Sequence, residues 1–362
     1  MTRTHTDDAL KLLVVDDSAL YRQLVRNVLR HVPGVEVVGA AKDGAEAIAM
    51  IEDLKPDLIT LDVRMPEVCG MQVLRELKKK RHKARAIMLS SLTASGAQAT
   101  TDALLEGAFD FILKPSGSDA NENRRVLAQE LSDKIAAFRS SRGGVVAKRV
   151  AEAALKKTTD EETSAEAATY EAVVIGTSTG GPAALKDVLP MFPGDFPVPI
   201  FVVQHMPAQY TNSLAQRLNE TSEIEIVEGV DGMAVEAGFA YIAPGGRHMK
   251  IERRGTKCMI RITEDPPENR CRPAADYLFR SAADVYQGRV VAVVMTGMGR
   301  DGAEGCREIK KRGGFVFTQH PDGCVVYGMP KAVVDEKLSD RAVPLERLAA
   351  SVTLRVQRSR ES

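Results

Sequence analysis

A serine lies in the stretch VVIGTSTGGPAAL, residues 173–185, between a short apolar run and a glycine pair. Gly176–Gly180 fits G-x-S-x-G, after an expected strand and before an expected helix. That is the setting of a nucleophile elbow, whose sharp turn exposes the serine Oγ. The N-terminus of the following helix offers backbone N–H groups to an oxyanion. Two other readings compete. Gly180-Gly181 could cradle a phosphate, but the spacing is not G-x-G-x-x-G and no lysine follows as in a Walker loop. Alternatively, Ser178 could only cap a helix, a role that needs no partner groups.

Partner groups are available. A serine nucleophile needs a base, and the base needs an orienting carboxylate. Of six histidines, His5, His31 and His82 lie in the first part of the chain and read as solvated. His205 follows the apolar run IFVVQ, His320 follows GFVFTQ, and His248 precedes an expected hairpin. Active sites collect at the carboxyl ends of parallel strands, which favours His205 and His320 over His248. Asp301, in VVAVVMTGMGRDGAEG, also follows a strand and a glycine turn. Its alternative role is the N-cap of the next helix. The order Ser178, His205, Asp301 is not the Ser–Asp–His order of an α/β-hydrolase. A triad here predicts a different fold.

A second constellation lies near the start. Asp16 and Asp17 follow the first apolar run, and Asp62 follows the third. In a sheet of order 2-1-3-4-5, strands 1 and 3 are neighbours, so the three carboxylates meet at the topological switch point. Such anions repel unless a hard divalent cation is shared, and Mg²⁺ takes oxygen ligands of this kind. Ser90 ends the fourth strand and Lys114 the fifth. Carboxylate, metal, hydroxyl and ammonium are the parts for moving a phosphoryl group onto a carboxylate. The bland alternative is that Asp17 or Ser18 caps the first helix and Lys114 is solvated.

The elements that must position these groups are legible as alternation. Apolar runs at Leu12–Val15, Val35–Val38, Leu58–Leu61, Ala86–Leu89 and Phe109–Leu113 alternate with helical patterns such as Leu20, Leu24, Val28 and Leu127, Leu131, Ile135. This predicts a flavodoxin-like, doubly wound five-stranded parallel sheet over residues 1–139. Residues 140–169 have no aromatic residue and mix charge with Ser, Thr and Ala, which predicts a linker, helical at most around Val145–Lys157. Residues 170–362 repeat the α/β pattern, doubly wound and mostly parallel. Strands are expected at Ala172–Ile175, Ile200–Val203, Phe239–Ile242, Val290–Val294 and Phe315–Thr318. Helices are expected at Pro182–Met191, Gln209–Asn219, Pro273–Tyr286 and Asp301–Arg312. MKIERRGTKCMIRIT reads as a β-hairpin turning at Gly255.

A chain of 362 residues has room for two cores. Lys+Arg and Asp+Glu both number 49, so nothing global points to nucleic acid or a membrane surface. No apolar run is long enough to span a bilayer, and the N-terminus is too acidic for a signal peptide. The five cysteines are odd in number and lack CxxC spacing, which predicts reduced thiols in the cytoplasm.

The motifs LLVVDDS, DLITLDVRMPEVCGMQVL, IMLSSLT and GAFDFILKPSG, over about residues 10–139, resemble a response-regulator receiver domain. The resemblance implies that Asp62 takes a phosphoryl group from a histidine kinase. It also implies that Asp16, Asp17, Asp62 and the Arg64 carbonyl organise Mg²⁺. Ser90 and Phe111 would be the switch pair, Lys114 the phosphoryl contact, and Lys114-Pro115 a candidate cis peptide. Arg64 and Cys69 depart from the usual residues of that pattern.

The motifs VVIGTSTGGP, FVVQHMP, YIAPGGRHM, RPAADYLFRSAA, VVMTGMGRDGAEG and VVYGMPKAVV, over roughly residues 170–356, resemble the catalytic domain of bacterial chemotaxis protein-glutamate methylesterases. This implies Ser178 as nucleophile, His205 as base and Asp301 as orienting acid, with backbone N–H groups near Thr179 and Met298 facing the oxyanion. The implied reaction is demethylation of glutamate methyl esters on chemoreceptor cytoplasmic domains, with glutamine deamidation beside it and no cofactor for the ester step. The expectation is a monomer without nucleic-acid or inserted membrane contacts. The rival classes are a two-component transcription factor, which the length and strand content of the second half argue against, and a catalytically inert receptor adaptor.

Overall fold

The computed structural model describes residues 9–91, 93–142 and 169–361. It divides into two compact units, Met1–Phe138 and Arg139–Ser362.

In the first unit, β1 (Leu10–Val15), β2 (Val35–Ala41), β3 (Leu58–Asp62), β4 (Arg85–Ser90) and β5 (Asp110–Leu113) form one sheet of order β2-β1-β3-β4-β5. Every pairing is parallel. The central strand β3 is buried along its whole length, as a strand covered on both faces must be. Helices α1 (Ala19–Leu29), α2 (Gly44–Leu54), α3 (Gly70–Lys79), α4 (Ala94–Leu105) and α5 (Ala120–Arg142) alternate with the strands. Ser18 and Asp43 cap α1 and α2 by accepting N–H bonds from Tyr21 and Glu46. The Ser18 reading as a cap therefore holds, and Asp17 is left free for other work. α5 continues to Arg142, past the point where the linker was expected to begin. The expected helical stretch Val145–Lys157 lies outside the described residues. One expectation fails: among the described residues the cis peptide is Arg272-Pro273, and Lys114-Pro115 is trans.

The second unit has a seven-stranded sheet. Its strands are β6 (Ala172–Thr177), β7 (Ile200–Gln204), β8 (Glu225–Glu228), β9 (Phe239–Ile242), β12 (Val290–Val294), β13 (Phe315–Gln319) and β14 (Arg341–Val343). The order is β14-β13-β12-β6-β7-β9-β8, with all pairings parallel. β6 and β12 lie side by side at the centre. From β6 the chain winds outward to β7, and from β12 outward to β13. Their boundary is the switch point, where a crevice opens at the carboxyl ends. β6 and β12 are fully buried runs rich in valine. The hairpin β10 (His248–Arg254) and β11 (Lys257–Thr263) is a separate antiparallel pair with Gly255 in its turn.

Helices α6 (Gly181–Val188), α7 (Ala208–Asn219), α8 (Ala275–Tyr286), α9 (Ala303–Lys311), α10 (Met329–Asp335) and α11 (Leu345–Glu361) complete the unit. α8 packs on α9, β6 and the hairpin, burying Leu278, Phe279, Ala282, Ala283 and Tyr286. The edge strands β8 and β14 and the helices α10 and α11 were not anticipated. EIVE and RAV are too short and too charged to carry a strand period of their own.

Candidate functional site

The first turn after β6 is pinned from three sides. Ser178 N–H donates to Thr296 O at 3.0 Å, and Gly181 N–H donates to Ser178 O at 2.8 Å. Gln204 Nε2 also donates to Ser178 O at 3.0 Å and to His205 O at 3.1 Å, tying the ends of β6 and β7 together. The N-cap of α6 is Gly180, in the left-handed region, with no side-chain cap. Ser178 therefore does not act as a helix cap, and among the described residues its hydroxyl makes no hydrogen bond. Thr179 is buried, while Met298 is 42% exposed at the rim.

His205 follows β7 directly. Its Nε2 lies 2.7 Å from Asp301 Oδ2. Asp301, on the loop between β12 and α9, is buried and accepts five donors in all. Oδ2 takes Nε2–H of His205 and Ala275 N–H, and Oδ1 takes Asn269 Nδ2, Asp276 N–H and Gly302 N–H. Gly302, not Asp301, is the N-cap residue of α9. Burial raises the Asp301 carboxyl, but His205 and the backbone donors of Asp276 and Ala275 outweigh it and hold it at about 2. Burial likewise works against the His205 imidazolium, and Asp301 and Cys271 overcome it, so the ring holds its proton above the ordinary histidine range.

This geometry assigns the ring nitrogens. Nε2–H is committed to the carboxylate, so Nδ1 is the ring nitrogen that can exchange a proton with another group. The other histidines are occupied elsewhere. His248 is buried, stacks on Tyr277 with centroids 4.4 Å apart, and donates from Nε2 to Pro266 O at 3.0 Å. His320 caps the short turn Pro321–Gly323 through Nδ1. Position at a strand end alone does not separate His205 from His320; His205 meets a buried carboxylate at 2.7 Å, whereas His320 has only the exposed Asp322 at 3.7 Å.

Several supporting residues were missed from sequence. Asn269 Nδ2 bridges Asp276 Oδ2 at 2.8 Å and Asp301 Oδ1 at 3.0 Å. Burial and neighbouring Asp301 push Asp276 up to about 6. Thr296 links three loops: its O accepts from Ser178 N–H and Thr177 Oγ1–H, and its Oγ1 donates to Thr179 O and accepts from Val326 N–H. A buried threonine just past a valine strand was the available signal. Beside it, a Cβ on Gly297 would stand 2.8 Å from Ser178 Cβ and 3.1 Å from Ser178 N.

In the first unit, carboxylate oxygens of Asp16, Asp17 and Asp62 lie within 4.8 Å of one another. Asp16 and Asp62 are buried and Asp17 is exposed. Lys114 Nζ is 2.6 Å from Asp16 Oδ2 and 2.7 Å from Asp62 Oδ2. The contact with Asp16 is an ion pair without hydrogen-bond geometry, so this buried oxygen has no hydrogen-bond donor. A hard cation fits an all-oxygen set with such an orphaned acceptor. Burial raises the Asp62 carboxyl, with Lys114 opposing. Ser90 is buried and accepts from Thr100 Oγ1 at 2.7 Å. Phe111 is only 8% exposed, so its ring is already inward. Arg64 Nη1 donates to Ser95 Oγ at 3.0 Å, and Arg64 N–H to Asp62 Oδ1 at 3.3 Å. Gly70 is required where α3 meets β3, since a Cβ there would lie 2.2 Å from Asp62 O. Tyr21 was not flagged by sequence. Its ring lies under the Lys114 ammonium, 4.5 Å from the centroid, and its hydroxyl is buried without a partner.

Fold and sites together define a class: a receiver-type unit with a phosphoacceptor-like carboxylate cluster, carried on one chain with a serine-centred parallel α/β unit. Residues 173–352 match the CheB methylesterase family, and residues 12–124 the response regulator receiver domain. A protein-glutamate methylesterase/protein-glutamine glutaminase of Desulfotalea psychrophila is 46% identical over 356 residues, 95% of this chain and 97% of that relative. A relative of the same name from Thermotoga maritima is 42% identical over 94% of this chain and 96% of its own length. The crystal structure of the Thermotoga maritima CheB methylesterase catalytic domain superposes with a TM-score of 0.51 at 41% identity, covering 51% of this chain and 98% of that one. The chain belongs to the CheB methylesterase family, with an N-terminal response regulator receiver domain.

Proposed function

We propose that residues 170–362 form a catalytic domain that hydrolyses glutamate methyl esters on chemoreceptor cytoplasmic domains. The same domain deamidates glutamine side chains, and the receiver of residues 1–139 controls it through the linker of residues 140–169. The observation that carries this reading is the His205–Asp301 pair, 2.7 Å apart, contributed by the segments that follow β7 and β12, the two strands flanking β6 and the Ser178 turn. Ser178 Oγ attacks the ester carbonyl as His205 Nδ1 takes its proton. Backbone N–H groups at Thr179 and Met298 face the oxyanion. The imidazolium returns the proton to the leaving oxygen and methanol departs. Water then repeats the cycle on the acyl-serine and releases glutamate. With glutamine the leaving group is ammonia. The ester step uses no cofactor. Methanol release by the purified protein from methylated receptor tests the reading, and its absence would favour an inert adaptor.

The receiver residues support a phosphoacceptor at Asp62, fed by a histidine kinase. Asp16, Asp17, Asp62 and the Arg64 carbonyl would hold Mg²⁺, which supplies charge neutralisation at the phosphoryl oxygens when bound. Lys114, already on Asp62, would pair with the phosphoryl group, and Ser90 would leave Thr100 to reach it. Because Phe111 is already buried, the signal runs through Ser90, Thr100 and α4 rather than through inward movement of the ring. No helix among the described residues is long and apolar enough to cross a membrane. The reading places the enzyme in the cytoplasm as a monomer, with receptors and a kinase as partners.

Two outcomes follow. With the unphosphorylated receiver restraining the second unit, as this reading has it, a fragment beginning near Thr169 should exceed the unphosphorylated full chain in activity. A small-molecule phosphodonor should activate the full chain several-fold to about a hundredfold, a coupling of about 1–3 kcal/mol, and leave Asp62→Ala unchanged. Equal activity of fragment and unphosphorylated chain would refute restraint by the unphosphorylated receiver. Gly297→Ala should cost about 10²-fold in kcat, because the added methyl pushes on the Ser178 turn and a misplacement of about 1 Å at a reacting group is enough for such a loss. Its kcat is compared with that of wild type on the same receptor substrate, and near-normal turnover would show the turn to be more compliant than its packing implies.

A further inference from the structure

The base nitrogen of His205 already has a partner, and it is not Ser178. Cys271 Sγ lies 3.5 Å from His205 Nδ1. Since Nε2 is held by Asp301 at 2.7 Å, Nδ1 is the one ring nitrogen able to serve the nucleophile. Sulfur, imidazole and carboxylate therefore form a chain, with sulfur at the nitrogen expected to serve the serine. The thiol is fixed in place. Glu268 and Cys271 exchange both backbone hydrogen bonds, at 3.1 and 2.7 Å, across a two-residue turn. Its central residues, Asn269 and Arg270, have φ of 51° and 62°. A left-handed arginine costs about 1–2 kcal/mol, so the surrounding packing must hold this turn. The same turn delivers Asn269 to Asp301, so one local structure sets both ends of the imidazole.

We propose that Cys271 is a positioning residue for ester hydrolysis: at rest its sulfur accepts the Nδ1–H of the protonated His205 ring, it yields that nitrogen to Ser178 in the reacting complex, and it sets the lowest pH at which the enzyme works. This rests on the reading of His205 as the base. The charged and titratable groups around the ring are Asp301 on the β12–α9 loop and Cys271 on the turn before α8. Behind them stand Asp276 of α8, joined to Asp301 through Asn269, and Arg280 of α8, paired with Glu268 at 2.6 Å. Cys271 and Asp301 both favour the protonated ring, and a protonated ring cannot accept from serine. Removing the thiol leaves Asp301 in place and withdraws part of that stabilisation, so the ring gives up its proton at a lower pH.

The test measures kcat/KM for methanol release against pH in wild type, Cys271→Ala and Cys271→Ser full-length chains. Alongside, the His205 imidazole is titrated by NMR in ¹⁵N-histidine-labelled protein, assigned with His205→Gln. Both variants should move the acid limb down by about one pH unit, which is about tenfold more activity on the steep part of the limb. They should converge on wild type where the ring is neutral, and the imidazole titration should move the same way. A packing role predicts something else: a parallel loss at every pH in Cys271→Ala, rescued by Cys271→Ser. That result, or superimposed acid limbs and titrations, would overturn the proposal. If wild type released no methanol at any pH, the esterase reading would fall, and an unmoved imidazole titration would separately refute the Cys271–His205 coupling.

Discussion

Ser178→Ala is expected to lower methanol release from methylated receptor by a factor on the order of 10⁴–10⁶, leaving only what binding and the oxyanion donors supply. The fold should not change. The backbone at position 178 is held by Thr296 O, Gly181 N–H and Gln204 Nε2, none of which uses the side chain. The hydroxyl itself makes no hydrogen bond among the described residues, so its loss orphans no buried partner. Stability should stay within about 0.5 kcal/mol of wild type. The variant should still bind receptor, which separates chemistry from docking in one protein. Turnover within tenfold of wild type would remove Ser178 from the mechanism.

Asp301→Asn should be nearly as damaging to kcat, by about 10⁴-fold, for a different reason. An amide NH₂ in place of Oδ2 faces the His205 Nε2–H and Ala275 N–H donors. His205 can then bond it only by accepting at Nε2, which moves the ring proton to Nδ1 and leaves no lone pair for serine. The opposite amide orientation sets NH₂ against Asn269, Asp276 N–H and Gly302 N–H. The substitution should therefore also destabilise the unit by about 1–3 kcal/mol through unsatisfied donors. Its pH dependence has a definite sign. Asp301 is depressed to about 2, so its contribution is present above the ordinary carboxylate range and is lost as pH falls through about 2. His205 is raised, so its contribution is complete below the ordinary imidazole range and is lost as pH rises through its folded value. Denaturant midpoints across pH should show both losses in wild type and smaller ones in Asp301→Asn. A variant with near-normal kcat would show that the carboxylate does not orient the base.

Much of this protein is legible in its sequence. The period of the apolar runs is a local property, so both parallel sheets could be read from it, together with which residues stand just past the strand ends. Those positions contained Ser178, His205, Asp301, Asp62 and Lys114, because parallel sheets gather chemistry at one edge. The hairpin turn at Gly255 was equally local. Other features were not. β8 and β14 are strands because β9 and β13 offer them a free edge, while EIVE and RAV alone do not demand it. The linker hypothesis for residues 140–169 met a helix that runs on to Arg142. The buried state of Phe111, the occupation of His320 as a cap and the trans bond at Lys114-Pro115 all depended on neighbours brought in by folding. So did the choice of ring nitrogen. His205 and Asp301 are 96 residues apart, and Cys271 reaches Nδ1 from a turn 66 residues beyond the histidine. Periodicity places a side chain at a strand end, but which atom it offers and which partner it meets follow from packing distances that only the closed fold establishes.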